Sequence, residues 1–490
     1  MKRIIYSIIA LGLLAGIFSS CSEETLDPTL KQEKDINTSI NTDDDLAGVL
    51  RGVYNRITSS NYYGRDYIIY GEVMGDNCFT NGNSGRFIEP AEMDIGPSVG
   101  YVQSTWYQIY RVISAANVIL NTDKETIEGN EEDINNIYGQ AYAIRAMAHF
   151  DLMKLYGQQH VTGGSDALTV PFLTKFASDL EEFDDESLNP EREEYNEMQT
   201  RIYTDLEKAI DNLSGTSFSY ASKDYHYFSL EAAHALRSRI ALYFQDWSQA
   251  ITDCEAVINS EKYEIVDSAD YVSLWQNDGG ADAILEMAYN ETDNNNISGL
   301  AYMYRGGSYG DVAVTPEFVS IFDSTDVRMM GQTEVLGVPV NMIGSGPEMP
   351  EFYRNNGKWP DMSNFADNVQ LIRYEEVILN YAEALMEEGE TGIDGLTALD
   401  YLNMIPENRG ASTYSEANLD NILNERRKEL CFEGFRFHDL VRRGLAVPST
   451  SQNAGYNDHE EIAYGDYRLA FPIPENELEA NSNIKQNEGY

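Results

Sequence analysis

The 490-residue sequence predicts a mainly α-helical protein, in which an irregular helical scaffold carries a loop-rich insertion with short β-hairpins. Two observations lead to this prediction. Apolar residues recur at the three- and four-residue spacing of amphipathic helices through much of the chain. One long segment, residues 261–365, lacks this spacing and is richer in Gly, Asn, Pro and aromatic residues, as loops and short hairpins are.

The first predicted helix begins with a cap. Thr42, Asp43, Asp44 and Asp45 precede the run LAGVLRGVYNRI, and a Thr or Asp cap followed by acidic residues suits the positive end of a helix. Three adjacent carboxylates are also compatible with calcium, but the loop glycine and terminal glutamate of a calcium loop are missing. We therefore predict a helix start here and expect neither a metal nor another cofactor.

Later helices are predicted in pairs. In IYGQAYAIRAMAHFDLMKLYG, small Ala143 and Ala146 alternate with large Tyr142 and Phe150. This alternation resembles a tetratricopeptide-type helix, in which alanine lets the neighbouring helix approach closely. The spacing predicts further helices at VQSTWYQIYRVISAANVILN, MQTRIYTDLEKAIDNL, FSLEAAHALRSRIALYF, SQAITDCEAVINS, LIRYEEVILNYAEALMEEG and GIDGLTALDYLNMI.

These patterns predict one large folded domain behind an export signal and a tether. Residues 62–100 read as a long structured loop, and the run AILEMAY in the insertion suits a strand. The predicted divisions are a signal peptide (1–20), a flexible polar tether (21–43) and a single domain (44–490), with the helical scaffold at 44–60, 101–260 and 366–445, the insertion at 261–365 and a C-terminal tail at 446–490.

The N-terminus has the features of a secretion signal. Lys2 and Arg3 precede an apolar stretch at residues 4–18, and small residues then lead to Cys21. This arrangement resembles a bacterial lipobox, in which Cys21 would be acylated and anchor the chain to a membrane. An ordinary secretory peptide cut near Ser20 remains an alternative. The following Ser-Glu-Glu resembles the surface-export signal of lipoproteins from Bacteroidetes.

The charge balance excludes some classes of partner. The chain has 81 acidic and 34 basic residues, giving a formal net charge of −47. Such a surface repels nucleic acid phosphates and anionic lipid headgroups. We therefore expect no nucleic acid partner.

The sequence offers little support for catalysis. Apart from Cys21, the cysteines are Cys78, Cys254 and Cys431, an odd number without the close spacing of a zinc site. On one helix, Cys431 and His438 would lie about 10 Å apart, too far for a nucleophile and its base. Neither the phosphate-loop motif nor the HExxH motif occurs. We expect a protein that is not an enzyme, with a glycan-active enzyme as a less favoured alternative.

One basic segment stands out from the acidic chain. The run ERRKELCFEGFRFHDLVRRG, residues 425–444, contains six basic side chains and three phenylalanines. We interpret it as a buried helix–turn–helix tied to the rest of the protein by arginine–carboxylate bonds, with Arg426 paired to Glu425 or Glu429 within its helix. A binding patch for an anionic ligand is the alternative.

This segment resembles the C-terminal signature of the SusD/RagB family. AYAIRAMAHFDLMKLYG, RYEEVILNYAEALMEEG and FPIPENELEANSNIKQNEGY resemble other family segments and occur in the family's order. PENRGA at 406–411 departs from the usual Arg-x-Arg-Ala-Gly, and Ser482 and Glu488 stand where the family tail usually has proline.

The resemblance implies a tetratricopeptide-like helical fold with a loop-rich half. It also implies an outer-membrane lipoprotein that faces the cell exterior and captures a nutrient there, usually a glycan. Such a protein binds its ligand without cleaving it and passes it to a SusC-like TonB-dependent transporter. A peptide is the alternative ligand, because some relatives bind peptides.

Glycan binding would require flat aromatic rings for the apolar faces of sugars and polar side chains for their hydroxyls. We expect Trp106 and Trp275 to be core residues. The irregular loops supply the candidate aromatic residues Tyr62, Tyr63, Phe79, Phe87, Tyr302, Tyr304, Tyr309 and Trp359 and the candidate polar residues Asn77, Asn81, Asn83, Arg305 and Asp311.

Overall fold

The computed structural model describes residues 40–159, 164–176, 189–450 and 459–490. The predicted signal peptide, Cys21 and most of the predicted tether lie outside these residues. Of the helices that the structure describes, none is both long and apolar enough to span a bilayer. The predicted fold class is confirmed, since long helices dominate the described chain and the strands are short.

The helices range from four-residue turns to α5, which is 26 residues long. In chain order, those of the described residues are α1 (Asp43–Ile57), α2 (Asp66–Val73), α3 (Ile88–Glu92), α4 (Gly100–Asn121), α5 (Glu131–Tyr156), α6 (Tyr195–Leu213), α7 (Leu230–Phe244), α8 (Trp247–Ile258), α9 (Tyr271–Leu274), α10 (Leu300–Arg305), α11 (Pro316–Val319), α12 (Val327–Met330), α13 (Tyr374–Glu388), α14 (Ala398–Glu407), α15 (Leu419–Glu429), α16 (Arg436–Arg442) and α17 (Glu475–Ala480).

The long helices pack side by side. α1 contacts α4, and each of α4 to α7 contacts the next helix; α13 then packs on α8, and α14 on α13. Small residues permit this close packing: a Cβ atom added to Gly139 of α5 would lie 2.7 Å from the Leu213 side chain of α6. Ala143 and Ala146 are fully buried, as the helix-pair interpretation predicts.

The predicted helix start at Thr42 is confirmed. The Thr42 hydroxyl accepts a hydrogen bond from the Asp45 amide at 3.2 Å, and the Asp45 carboxylate accepts from the Thr42 amide at the same distance. Asp43 accepts from the Asn130 amide at 2.9 Å, which joins α1 to the start of α5. The acidic run therefore caps a helix and links two helix ends.

Two segments differ from their sequence predictions. The stretch at 62–100 contains α2, whose eight residues are all buried. A helix that is buried on every side has no polar face, so it shows no amphipathic spacing. Leu371 and Arg373, which we predicted as helical, lie in a strand that ends where α13 begins.

The insertion contains short strands, as predicted. β1, β3, β7 and β6 form one sheet in that order, β2 pairs with β8, and β4 pairs with β5 as a hairpin. The strands of the described residues are β1 (Cys78–Thr80), β2 (Ala283–Met287), β3 (Val312–Val314), β4 (Gln332–Val335), β5 (Val338–Asn341), β6 (Ile343–Ser345), β7 (Tyr353–Asn355) and β8 (Val369–Arg373).

Buried ion pairs fasten the insertion to the scaffold. Arg328 of α12 lies 2.5 Å from Glu425 and 3.2 Å from Glu429, both on α15. Lys358 lies 2.6 Å from Glu433. Since these groups are almost completely buried, each needs its partner to offset the loss of hydration. The loops of the insertion are therefore held on a fixed base.

Candidate functional site

The structure brings together the two loop segments that contain most of the predicted site residues. Strand β1 pairs with β3 in antiparallel fashion, with Phe79 opposite Ala313. Beyond the strands, the Asn81 amide nitrogen donates to the Asp311 carbonyl at 2.9 Å, and its side chain donates to the Gly310 carbonyl at 3.0 Å. Residues 79–87 and 302–311 therefore form one continuous surface.

Asp311 organises this surface from below. Its buried carboxylate accepts hydrogen bonds from the amide and the hydroxyl of Ser84, at 2.8 and 2.6 Å. Arg86 in turn donates to the Ser84 hydroxyl at 2.7 Å, and its guanidinium lies 4.0 Å from the centre of the Tyr309 ring. The Asp311 carboxylate therefore faces the protein and not the solvent. Through Ser84, it positions Arg86 over the Tyr309 ring.

Three partly exposed rings meet at this position. The Tyr302 ring centre lies 5.5 Å from that of Tyr309 and 6.1 Å from that of Phe365. A Cβ atom added to Gly306 would come within 2.5 Å of the Tyr302 ring, so a glycine is needed beneath it. We call Tyr302, Tyr309, Phe365 and Arg86 the aromatic patch.

Tyr62 and Tyr63, although predicted as loop rings, are core residues. Their hydroxyls donate to Asp151 at 2.6 and 2.8 Å, and Tyr67 donates to the same carboxylate at 2.5 Å. Burial, followed by the Asp151 charge, raises the pKa of all three hydroxyls well above the usual value. These rings present no face to solvent, so a stacking surface cannot include them in this conformation.

Phe79 and Phe87 are also buried. Phe87 stacks on Tyr101 with ring centres 5.2 Å apart, and Phe79 packs edge-on against Phe352 at 5.9 Å. Both lie in the segment 79–87 that forms part of the surface, but their side chains point into the protein. They support the surface from below and do not form its outer face.

Tyr304 and Trp359 share this buried position. Their rings stack with centres 6.2 Å apart, and the Trp359 indole donates to Gln370 at 3.0 Å. Arg305 donates to the carbonyls of Asn355 and Lys358 at 2.6 and 3.1 Å. Successive residues of a helix face different directions, which explains why Tyr302 reaches the surface while Tyr304 does not.

The candidate asparagines divide in the same way. Asn77 is fully buried, where it donates to Glu72 at 3.1 Å and accepts from Arg427 at 2.7 Å. Asn83 is exposed, and its side chain donates to the Tyr309 carbonyl at 2.8 Å. Asn77 is therefore part of the scaffold, while Asn81 and Asn83 border the aromatic patch.

The patch also contains two residues that were not predicted as site residues. Phe365 lies at the end of the predicted insertion in SNFADN, and Arg86 follows the first loop's glycine. Each is a lone residue without helical or strand spacing around it. The density of Gly and Asn near both was the available signal, although it marks loops in general.

The segment 306–310, GGSYG, matches the G-x-S-x-G spacing of a hydrolase nucleophile turn. That turn joins a strand to a helix, whereas this segment follows helix α10 and precedes strand β3. The Ser308 hydroxyl lies 3.3 Å from the hydroxyl of Tyr302. The match therefore lacks the structural context of a nucleophile, and Ser308 borders the aromatic patch.

The basic segment at 425–444 is scaffold, as predicted. Arg426 and Arg442 both pair with Asp439, at 3.0 and 2.8 Å, and Arg442 also pairs with Glu383 at 2.5 Å. Burial opposes ionisation of Asp439, but the two guanidinium charges outweigh it and lower its pKa to about 2. The predicted intrahelical partners of Arg426 are wrong, because its guanidinium faces α16.

The three glutamates of this segment, Glu425, Glu429 and Glu433, pair with arginines from elsewhere in the chain. Glu429 accepts from Arg409 at 3.0 Å and from Arg373 at 3.2 Å. Glu375 also pairs with Arg409, at 2.7 Å. Arg409 lies in PENRGA, the segment that departs from the usual family sequence, and it is fully buried.

The cysteines and His438 are also core residues. Cys78, Cys254 and Cys431 are free and buried, and burial raises the pKa of the Cys431 thiol to about 12. Burial also lowers the pKa of His438 well below its usual value. In the described ranges, no group of acidic, histidine and cysteine side chains is arranged to hold a metal ion.

Comparisons with known proteins agree on one family. A model described as the SusD family matches residues 352–490, and one described as "Starch-binding associating with outer membrane" matches residues 26–242. SusD-like protein P2 of Formosa agariphila is 26% identical over 497 residues, which cover 91% of this chain and 92% of that protein. The starch-binding protein SusD of Bacteroides thetaiotaomicron is 29% identical over 142 residues, covering 28% of this chain and 24% of its own.

A solved structure supports the same assignment. A SusD superfamily protein of Bacteroides thetaiotaomicron is similar with a TM-score of 0.77 and 25% identity, covering 91% of this chain and 99% of its own. The two family models, the relatives and the solved structure all point to the same family. The chain belongs to the SusD/RagB family.

Proposed function

We propose that this chain is a cell-surface nutrient-binding lipoprotein that captures an oligo- or polysaccharide and delivers it to a SusC-like TonB-dependent transporter. The observation that carries the proposal is the aromatic patch. It presents partly exposed rings on a loop surface of a family that includes a starch-binding protein. We propose a binding protein and not an enzyme.

The chemistry of the patch suits a neutral sugar chain. Tyr302, Tyr309 and Phe365 offer apolar ring surface, against which the C–H faces of sugars can stack. Asn83, Ser84 and Arg86 lie beside them and can exchange hydrogen bonds with hydroxyl groups. A shallow surface of this kind gains little energy from each ring, so micromolar dissociation, about −8 kcal/mol, is expected.

The experiment is calorimetry of the chain without its signal peptide against a panel of neutral oligosaccharides and peptides. Tyr302→Ala and Tyr309→Ala should each weaken binding of the best glycan about tenfold, because each removes a stacking ring. Tyr107→Ala is the matched control, since Tyr107 is exposed on α4 and lies outside the patch. Unchanged affinity in both patch variants would place the site elsewhere, and binding of peptides alone would favour the peptide alternative.

The anchor and the transporter are separate parts of the proposal. Cys21 follows a lipobox-like sequence, and the polar residues after it would allow the domain to move relative to the membrane. A Cys21→Ala variant should no longer partition with the outer membrane after a high-salt wash. Pull-down of the native lipoprotein in mild detergent should recover a large TonB-dependent barrel, and repeated recovery of the chain alone would contradict a transporter partner.

A further inference from the structure

A second concave surface lies between residues 214–229, which join α6 to α7, and strand β2. It encloses about 610 Å³, which is within the range of small-molecule binding sites. It shares no lining residue with the aromatic patch. We call it the α6–α7 cleft, and its lining includes Thr216, Ser217, Tyr225, Tyr227, Lys262 and Tyr263.

Aromatic rings line the cleft and are held in place by their surroundings. Tyr225, Tyr227 and Tyr263 are all partly exposed. Tyr227 packs edge-on against Tyr54 with ring centres 5.1 Å apart. A Cβ atom added to Gly279 would lie 2.3 Å from the Tyr225 ring, so this ring rests directly on the Gly279 backbone. Rings that are fixed before binding lose little entropy when a ligand stacks on them.

The charged side chains of the cleft do not favour a charged ligand. Lys262 lies 2.8 Å from Glu231, so these two side chains neutralise each other. Asp224 adds a carboxylate on the exposed side, and the acidic surface of the whole chain also disfavours an anion. Ser217 lines the cleft, is exposed and supplies a hydroxyl, whereas the Thr216 hydroxyl already donates to the Leu213 carbonyl at 2.9 Å and accepts from Asn136 at 3.1 Å. Flat rings with neutral polar groups suit a sugar chain.

We propose that the α6–α7 cleft is a second binding site for neutral oligosaccharides, on the scaffold side of the molecule. This inference rests on the proposed function, because it assumes that the ligand is a glycan. One chain would then hold a polysaccharide at two places, the aromatic patch and the cleft. Where one polysaccharide reaches both, the second contact forms at a raised effective concentration and strengthens the whole complex.

The test is calorimetry with short probes, maltoheptaose and laminarihexaose, followed by the best neutral oligosaccharide of the wider panel. Two variants address the cleft. Tyr225→Ala removes a ring, and Ser217→Trp fills the space from an exposed position. Tyr309→Ala addresses the patch, and Tyr107→Ala is the control for loss of an exposed tyrosine. The melting temperature of each variant shows whether it is folded.

The wild type should bind two molecules of a short oligosaccharide per chain. Ser217→Trp should reduce this number to one, Tyr225→Ala should raise Kd at one site about tenfold, and Tyr309→Ala should affect only the other site. One molecule per wild-type chain, unaffected by both cleft variants, overturns the second site while leaving the proposed function intact. Binding of no glycan contradicts both, and a peptide that competes for the cleft overturns the assigned ligand class.

Discussion

Two buried arginines of the helical scaffold, Arg409 and Arg373, differ in their partners from two buried arginines of the loop region, Arg305 and Arg354. Arg409 and Arg373 lie in the scaffold within 3.2 Å of carboxylates, including the shared Glu429. Arg305 and Arg354 lie in the loop region and donate to main-chain carbonyls. Neither forms an ion pair with a carboxylate of the described residues, and burial lowers the pKa of each to about 10.

This difference predicts that Arg409 and Arg373 contribute more to the free energy of unfolding than Arg305 and Arg354 do. Carboxylate partners offset much of the free-energy cost of removing a guanidinium from water, whereas carbonyl partners offset less of it. The two family models match residues 26–242 and 352–490, and the segment between them contains Tyr302 and Tyr309. Most of the scaffold lies within the matched residues, as do Arg86 and Phe365 of the aromatic patch. Tyr302 and Tyr309 of the proposed ligand surface lie between them, in the loop-rich insertion, where sequence changes cost little stability.

The largest predicted effect is that of removing a scaffold arginine. Arg409→Ala leaves Glu375 and Glu429 without one of their partners inside the protein, and it should lower the free energy of unfolding by about 3–5 kcal/mol. Urea denaturation measures this change. A loss below about 1 kcal/mol would show that the scaffold and loop arginines do not differ as their partners indicate.

The two regions should also respond to pH with opposite signs. Asp439 of the scaffold has its pKa lowered to about 2 because the charges of Arg426 and Arg442 outweigh burial. Its contribution to stability is therefore present above pH 4 and is lost as the pH falls toward 2, and it amounts to roughly 2 kcal/mol. The unfolding free energy of Asp439→Asn and of the wild type should converge as the pH falls through this range.

Asp367 beside the aromatic patch should behave in the reverse way. Burial raises its pKa to about 6, so the folded protein holds this proton more tightly than the unfolded chain. Its contribution is present below pH 4 and is lost as the pH rises to about 6, by roughly 1–3 kcal/mol. Asp367→Asn should therefore gain stability relative to the wild type between pH 4 and 7, and a constant difference across this range would contradict the raised pKa.

Removing a loop arginine should have a smaller effect. Arg305→Met loses bonds to two carbonyls, but it also removes Nε and Nη2, which are buried without a hydrogen-bond partner. The expected loss is below about 1.5 kcal/mol. Arg409→Met is the matched control, since it makes the same exchange where carboxylates would remain behind. Equal losses in the two variants would contradict the comparison.

The smallest predicted effect on stability is that of a patch ring. Tyr309→Ala should change the unfolding free energy by about 0.5 kcal/mol or less, because its ring is partly exposed on a loop. Tyr304→Ala, five residues away in the core, should cost about 3–5 kcal/mol. Calorimetric melting of both variants compares them, and similar losses would mean that the patch is part of the core.

Helices with one apolar face could be predicted from the sequence with bounds close to those observed. The run predicted from Val102 to Asn121 lies in α4, and the capping residues around Thr42 marked the start of α1. Helix α2 was missed because all of its residues are buried. Amphipathic spacing reports only on helices that have a solvent face.

The candidate site was predicted at the level of segments and less well at the level of side chains. Tyr62 and Tyr302 both lie in loop-like sequence near Gly and Asn. Tyr62 is buried, and its hydroxyl donates a hydrogen bond to Asp151, 89 residues away. Tyr302 is partly exposed because Gly306 makes room for its ring on the surface. The bond of Tyr62 to so distant a residue leaves no local pattern in the sequence.

The shared bonding of Tyr62, Tyr63 and Tyr67 to Asp151 has a spectroscopic consequence. Tyrosine rings in water lose their proton near pH 10, whereas these three hydroxyls are held protonated by burial and by the carboxylate charge. In an alkaline titration, the ultraviolet absorbance of tyrosinate should therefore rise first for rings at the surface. The tyrosinate absorbance of Tyr62, Tyr63 and Tyr67 should appear only when the scaffold unfolds. It therefore provides an intrinsic optical signal for unfolding.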